Sequence, residues 1–223
     1  VHVDAYCISR TKVSTQEYGE CITHAGGCRV ARTMDLQHEV DDDENRRGGT
    51  LCNQVISGRS RHPINCVDWS MSNAYCLWKG WRLPTEIEWE VAATGGRRLR
   101  YPWGDSAPDP SVVNMLGPEG MAQALWLLRT RAIPDASPAY PVSDHWVTTS
   151  PVDAFPRGSS PMGVLDMVGN LSEWTSNEWQ PGTRSRVLRG FAWTYVISSR
   201  STVHYRRAYH ELSHGPTVGF RCA

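Results

Sequence analysis

The chain has 223 residues and no formal net charge, with 23 Lys and Arg (all but two of them Arg) against 23 Asp and Glu. Zero net charge argues against a nucleic-acid or anionic-membrane partner held by bulk electrostatics, and no apolar run approaches the ~18 residues that a membrane-spanning helix needs. One large domain with a substantial core is as possible at this length as two small ones. Nothing at the start reads as a signal sequence, and the first residue is Val1 rather than Met, so a processed chain or a fragment is expected. The Arg-for-Lys bias reads as genome composition.

In chain order, Val1 to Ile8 reads as a strand. Ser14-Thr15-Gln16-Glu17 is a capping box, in which Ser14 bonds a first-turn amide while Glu17 reaches back. It predicts a helix through Tyr18 and Ile22 that stops near Gly26-Gly27. Asp41-Asp42-Asp43-Glu44 followed by Arg46-Arg47 reads as a solvated loop, without the Gly and spaced oxygens of a calcium-binding loop. A second helix is predicted over Ser70 to Lys79, with Ala74, Leu77 and Trp78 as apolar positions and Gly80 as the stop. A third follows Pro84, opened by the capping box Thr85-Glu86-Ile87-Glu88 and ended by Gly95-Gly96. Tyr101 to Pro161 is rich in Pro, Ser and Asp, and loops this long need disulfides or metal ions to hold them. Val187 to Trp193 and Val218 to Cys222 read as short strands. With no repeat, low-complexity segment or linker, residues 1–223 are expected to form one loop-rich domain.

The seven cysteines are Cys7, Cys21, Cys28, Cys52, Cys66, Cys76 and Cys222. They allow three pairs and leave one over. None sits in a C-x-x-C, which removes zinc-ribbon and thioredoxin-type readings. Cys21 and Cys28 bracket a short Gly-containing segment, a spacing that suits a local disulfide. Cys52 and Cys66 bracket a polar loop with Gly58, Arg59 and Arg61, and Cys222, one residue from the end, suits a clamp. The pattern favours an oxidising compartment (periplasm, cell surface or outside) over buried thiols in a cytosolic protein.

Several segments together are more specific. His62-Pro63-Ile64-Asn65-Cys66-Val67-Asp68-Trp69 leads to Ala74-Tyr75-Cys76-Leu77-Trp78 and to Arg82-Leu83-Pro84-Thr85-Glu86-Ile87-Glu88-Trp89-Glu90. Later come Tyr101-Pro102-Trp103-Gly104-Asp105, Pro151-Val152-Asp153-Ala154-Phe155-Pro156 and Asp166-Met167-Val168-Gly169-Asn170-Leu171-Ser172-Glu173-Trp174-Thr175. The chain closes with Leu188-Arg189-Gly190 and Gly219-Phe220-Arg221-Cys222-Ala223. In this order, from about Val3 to Ala223, the sequence resembles the formylglycine-generating enzyme family, also called sulfatase-modifying factors. The resemblance implies an irregular, loop-rich α+β fold related to the C-type lectin fold, with short strands and about three short helices. It is incomplete at the front: the family's opening strand with its Gly-x-Phe-x-Met-Gly stretch has no counterpart here.

The resemblance also implies two structural calcium sites. One falls on Asn114, Met115, Asp144 and Trp146, the other on Asp166, Gly169, Leu171 and Glu173. Each mixes side-chain and backbone oxygens, the hard donors that calcium takes; the plain alternative is turn residues with hydrogen bonds only. The resemblance further pairs Cys76 with Cys222, which leaves Cys7 free and buried or paired outside the chain. The family's enzyme oxidises a substrate cysteine to formylglycine through a copper-binding cysteine pair five residues apart. Those two positions fall on Tyr195 and Arg200. No Cys lies between Cys76 and Cys222, so a linear thiolate site for copper(I) cannot be built and no copper is expected.

His204, His210 and His214 are weighed as a replacement metal site. His210 and His214 have i,i+4 spacing, but Leu212-Ser213-His214-Gly215-Pro216 reads as a loop, which favours surface or hydrogen-bonded histidines. Ser198, Ser199 and Ser201 lie nearby without a base and oxyanion hole. What the resemblance leaves is a groove surface, assigned to Tyr195, Arg200, His204, Tyr205, Arg206 and Tyr209, whose aromatic and Arg side chains suit recognition. The expectation is a calcium-stabilised, secreted, surface or periplasmic domain that no longer oxidises cysteine. It would bind a protein or small ligand, or self-assemble. The rival is an oxidoreductase-type enzyme with altered chemistry around Tyr195 to His214.

Overall fold

A computed structural model describes residues 3–24, 27–31, 33–35, 42–127, 137–196 and 201–223. Five short helices appear among them, α1 (Thr15–Thr23), α2 (Asp42–Gly49), α3 (Trp69–Trp78), α4 (Glu86–Thr94) and α5 (Met121–Leu127), with four strands, β1 (Ser172–Glu178), β2 (Ser185–Arg189), β3 (Arg206–His210) and β4 (Val218–Gly219). This is an α+β architecture in which long irregular segments connect small elements. No helix of the described residues is long and apolar enough to cross a membrane.

The capping residues set the helix starts. The Ser14 side chain accepts from the Glu17 amide, and Glu17 returns to the Ser14 amide; Thr85 and Glu88 do the same for α4. Gly95 closes α4 in the left-handed conformation, φ 61°, where a side chain would be strained. Asp68 caps α3, which opens one residue earlier than predicted. The buried positions of α3 are Met71, Ser72, Tyr75 and Cys76, so Leu77 points to solvent, 60% exposed, and Trp78 is half-buried.

The strands assemble in the order β3-β2-β1-β4. β2 runs antiparallel to both β1 and β3, while β4 joins β1 in parallel, with Glu173 opposite Arg189 on one side and Gly219 on the other. A register shift interrupts the β1–β2 ladder between Trp174 and Glu178. Three apolar clusters pack around this sheet. Tyr18, Ile64, Tyr75, Trp174 and Phe220 form one, Trp89, Val113, Met167 and Phe191 a second, and Leu116, Leu171 and Trp193 a third. Trp69, Trp78 and Trp103 border these clusters, so together with Trp89, Trp174 and Trp193 they belong to the scaffold.

Three expectations change. Residues 3–8 form no strand: this segment is tied point by point, through Tyr6 Oη to the Glu88 carbonyl (2.6 Å) and the Ser9 amide to the Cys222 carbonyl (2.8 Å), without a ladder. The charged run expected as a loop is the helix α2. Cys7 is exposed and free, not buried. The other six cysteines form Cys21–Cys28, Cys52–Cys66 and Cys76–Cys222 disulfides.

Candidate functional site

The turn before β1 brings the two oxygen-rich clusters back to back. Gly169 has φ 86°, and a Cβ there would lie 2.5 Å from the Asn114 carbonyl oxygen, so only glycine lets the segments touch. The Asn170 amide bonds that same carbonyl (2.8 Å), and its side chain spans the Ser150 backbone and the Asp166 carboxylate.

In the first cluster, Tyr140 Oη accepts from the Met115 amide and lies within hydrogen-bond distance of Asp144 Oδ2 (2.5 Å). Asp144 caps its own turn through the Trp146 amide (2.8 Å), and its backbone N–H donates to Glu119 Oε1 (2.9 Å). Burial, together with the neighbouring Glu119, pushes the Asp144 carboxyl up to about 7. Burial pushes Glu119 up as well, but hydrogen bonds from Asp144 and Ser143 outweigh it and hold Glu119 at about 2. Two close carboxyls thus keep one proton between them. Asn114 Oδ1 and Glu119 Oε2 are buried without a hydrogen-bond partner among the described residues. Orphaned oxygens and an uncompensated carboxyl pair are the donor chemistry of a hard divalent cation, and these residues fit one. Asp144 and Trp146 also border an open hollow of about 580 Å³ with Arg61, Asp153 and Phe155, which gives a route from solvent. Glu119, not singled out from the sequence, follows Asn114 by five residues in a Gly-Pro-Glu turn; its proximity to Asp144 has no short-range sequence signal.

The second cluster does not fit a calcium ion. Asp166 and Glu173 are buried as the resemblance requires, but Lys12 Nζ donates to the Asp166 carbonyl oxygen (2.7 Å) and to Glu173 Oε1, and Arg221 grips both oxygens of Glu173. Burial pushes Glu173 up, but Arg221 and Lys12 overcome it and hold the carboxyl down near 2.

The expected groove is only partly assembled. Tyr195 and Tyr205 meet over Phe191, whose ring stacks on Tyr205 at 4.7 Å and meets Tyr195 edge-on at 5.2 Å. Arg206 is spent on Glu86, with two contacts of 2.7 Å, and lies over Trp179. His204 reaches the Leu99 carbonyl (3.1 Å) and Glu90 (3.4 Å). Tyr209, three residues along β3 from Arg206, faces the other side of the sheet and packs in the core against Trp174. Arg200, Ser198 and Ser199 lie outside the described residues. His214 bonds Thr33 and the Leu212 carbonyl, and His210 lies in β3, so these two do not share a helix face. Among the described residues, no group of three or more His, Cys, Asp or Glu side chains is arranged to hold a metal.

The sheet, the order of motifs and the oxygen-rich turn before β1 define the class: the chain belongs to the family described as the Sulfatase-modifying factor enzyme 1-like domain, matched over residues 1–223. It is 37% identical over 168 residues to mouse inactive C-alpha-formylglycine-generating enzyme 2, covering 72% of this chain and 48% of that protein. It is 34% identical over 192 residues to mouse formylglycine-generating enzyme, covering 75% and 45%. The chain therefore spans about half the length of these curated relatives. Among solved structures it is similar in fold to PvdO from Pseudomonas aeruginosa, with a TM-score of 0.65 at 21% identity over 96% of this chain and 78% of that one.

Proposed function

We propose that this domain is a non-catalytic member of its family, secreted or surface-exposed, that is stabilised by calcium at the Asn114–Asp144 cluster and acts as a binding or structural-assembly module. One observation carries the reading: where the resemblance puts the first catalytic cysteine stands Tyr195, and its ring is built into the Phe191–Tyr205 stack. The second position is Arg200, and no thiol lies between Cys76 and Cys222 to replace the pair. Copper(I) needs soft sulfur ligands, and phenol and guanidinium groups do not supply them. A relative named as inactive supports the same reading, and the three disulfides support an oxidising compartment.

The side chains of Asn114 and Asp144, the carbonyls of Met115 and Trp146, and Glu119 would hold the calcium. A bound divalent ion there supplies charge that offsets two carboxylates. Asn114 and Asp144 stand thirty residues apart in the chain, so joining them pins the long loop region of the domain. The test is to incubate the purified protein with copper, reductant, oxygen and a peptide carrying a Cys-x-Pro-x-Arg motif. The expected mass spectrum shows unmodified cysteine; formylglycine, or stoichiometric copper or iron in the protein as isolated, overturns the reading.

A further inference from the structure

Lys12 lies two residues before the cap of α1 and is 1% exposed. A lone buried ammonium is costly unless its donors are matched. Its Nζ meets the Asp166 carbonyl oxygen and Glu173 Oε1. Glu173 is fully buried and accepts from four donors: Lys12 Nζ and Arg221 Nη2 (2.9 Å) at Oε1, Arg221 Nε (2.7 Å) and Trp89 Nε1 (3.1 Å) at Oε2. A carboxylate offers about four lone-pair directions, so none is left for a metal. Arg221 also binds the carbonyls of Ser9, Arg10 and Leu165. The charges balance too. Lys12 and Arg221 face the two acids Asp166 and Glu173, and a divalent ion added to this buried set would leave it strongly positive.

We infer that the Lys12 ammonium permanently occupies the place of a second calcium ion, so that the turn from Asp166 to Glu173 is closed by a cation of the chain itself and takes up no metal. This deepens the calcium reading by fixing its stoichiometry at one. It does not depend on whether the Asn114–Asp144 cluster binds calcium. Its consequence is that the joint between the segment before α1, β1 and the final strand is insensitive to chelators, while the Asn114–Asp144 loop remains open to them.

The chain has only two lysines, and Lys79 is exposed, so protein labelled with 15N-lysine separates the buried ammonium from the surface one. The expected result is one slowly exchanging Nζ signal, unchanged in position between chelator and millimolar calcium. A Lys12 signal that exchanges as fast as that of Lys79, or that moves or vanishes on adding calcium, overturns the inference. A second arm uses the Asp144→Asn background, in which the first cluster is silenced. There the protein with Lys12 intact is expected to bind no calcium in equilibrium dialysis. Adding Lys12→Gln is expected to lower the thermal midpoint in chelator by roughly 10 °C, and calcium should restore at least half of that loss. Calcium uptake with Lys12 intact that Glu173→Gln abolishes, or a Lys12→Gln loss that no divalent ion repairs, overturns it. Loss of all calcium binding in the Asp144→Asn protein with Lys12 intact leaves the inference standing; absence of calcium binding in the unmodified protein overturns only the Asn114–Asp144 reading.

Discussion

His62 is one side chain whose burial makes the stability of the domain depend on pH. It is buried, with Nδ1 3.0 Å from Thr149 Oγ1, the Arg59 guanidinium nearby and the Trp146 ring edge-on to it. Burial, reinforced by Arg59, pulls its pKa down to about 4. The unfolded chain takes up a proton near the ordinary value of 6.5, which the folded protein refuses until about pH 4. The stabilisation from neutral His62 is therefore complete above pH 6.5 and is lost as the pH falls towards 4, by about 3 kcal/mol in all. Denaturant titrations across this window should show the natural chain losing stability relative to His62→Gln as the pH falls, the relative loss vanishing above pH 6.5. Lys12 belongs to the same scale. A lone lysine in Arg-Thr-Lys-Val reads as surface, and only the fold reveals that its head is enclosed by Asp166 and Glu173. The Asn114 and Asp144 positions were readable through the resemblance alone. Glu119 was not, because its neighbour in space is twenty-five residues away in the chain.

At the scale of elements, what the sequence spells locally is what could be read from it. α1 and α4 announce themselves through Ser14/Glu17 and Thr85/Glu88, and both boxes form. Ser14→Ala and Thr85→Ala are each expected to cost about 1 kcal/mol. The two caps share no bond with each other, so the double variant should lose the sum in urea unfolding, within about 0.5 kcal/mol. α2 was not legible, since a charged run ending in two glycines looks like a loop. Its helix is compatible with packing at Gly48, where a Cβ would collide with Met34 Sδ. β1 was missed for a different reason. In Ser172–Glu178 the first four residues are all buried, Glu173 and Thr175 included, so no apolar alternation marks the strand. Glu173 is satisfied by Arg221 and Lys12, and Thr175 by the Val187 carbonyl, all remote in sequence. β3, Arg206–His210, is polar for a related reason: Arg206 leaves it to bind Glu86 on α4.

The molecule as a whole is held by cross-links of very different reach. Cys76–Cys222 spans 146 residues, Cys52–Cys66 spans 14 and Cys21–Cys28 spans 7. In the chain-entropy account, removing them one at a time as Ser pairs costs about 5, 3 and 2 kcal/mol respectively. Denaturant midpoints of the three double variants should fall in that order, and equal losses would contradict it. The longest link has a mechanical side as well. The Ser9 amide is hydrogen-bonded to the Cys222 carbonyl, so the segment that leads into α1 lies beside the closing residues of the chain. Tension applied through them cannot draw out the sheet or α4, because everything from Cys76 to Cys222 is shunted by one covalent bond. Only the part before Cys76 can lengthen, and roughly 500 Å of potential extension, at ~3.4 Å per residue, stays locked. The domain would act under load as a short tether followed by an inextensible knot, whose slack is released by a reductant rather than by force.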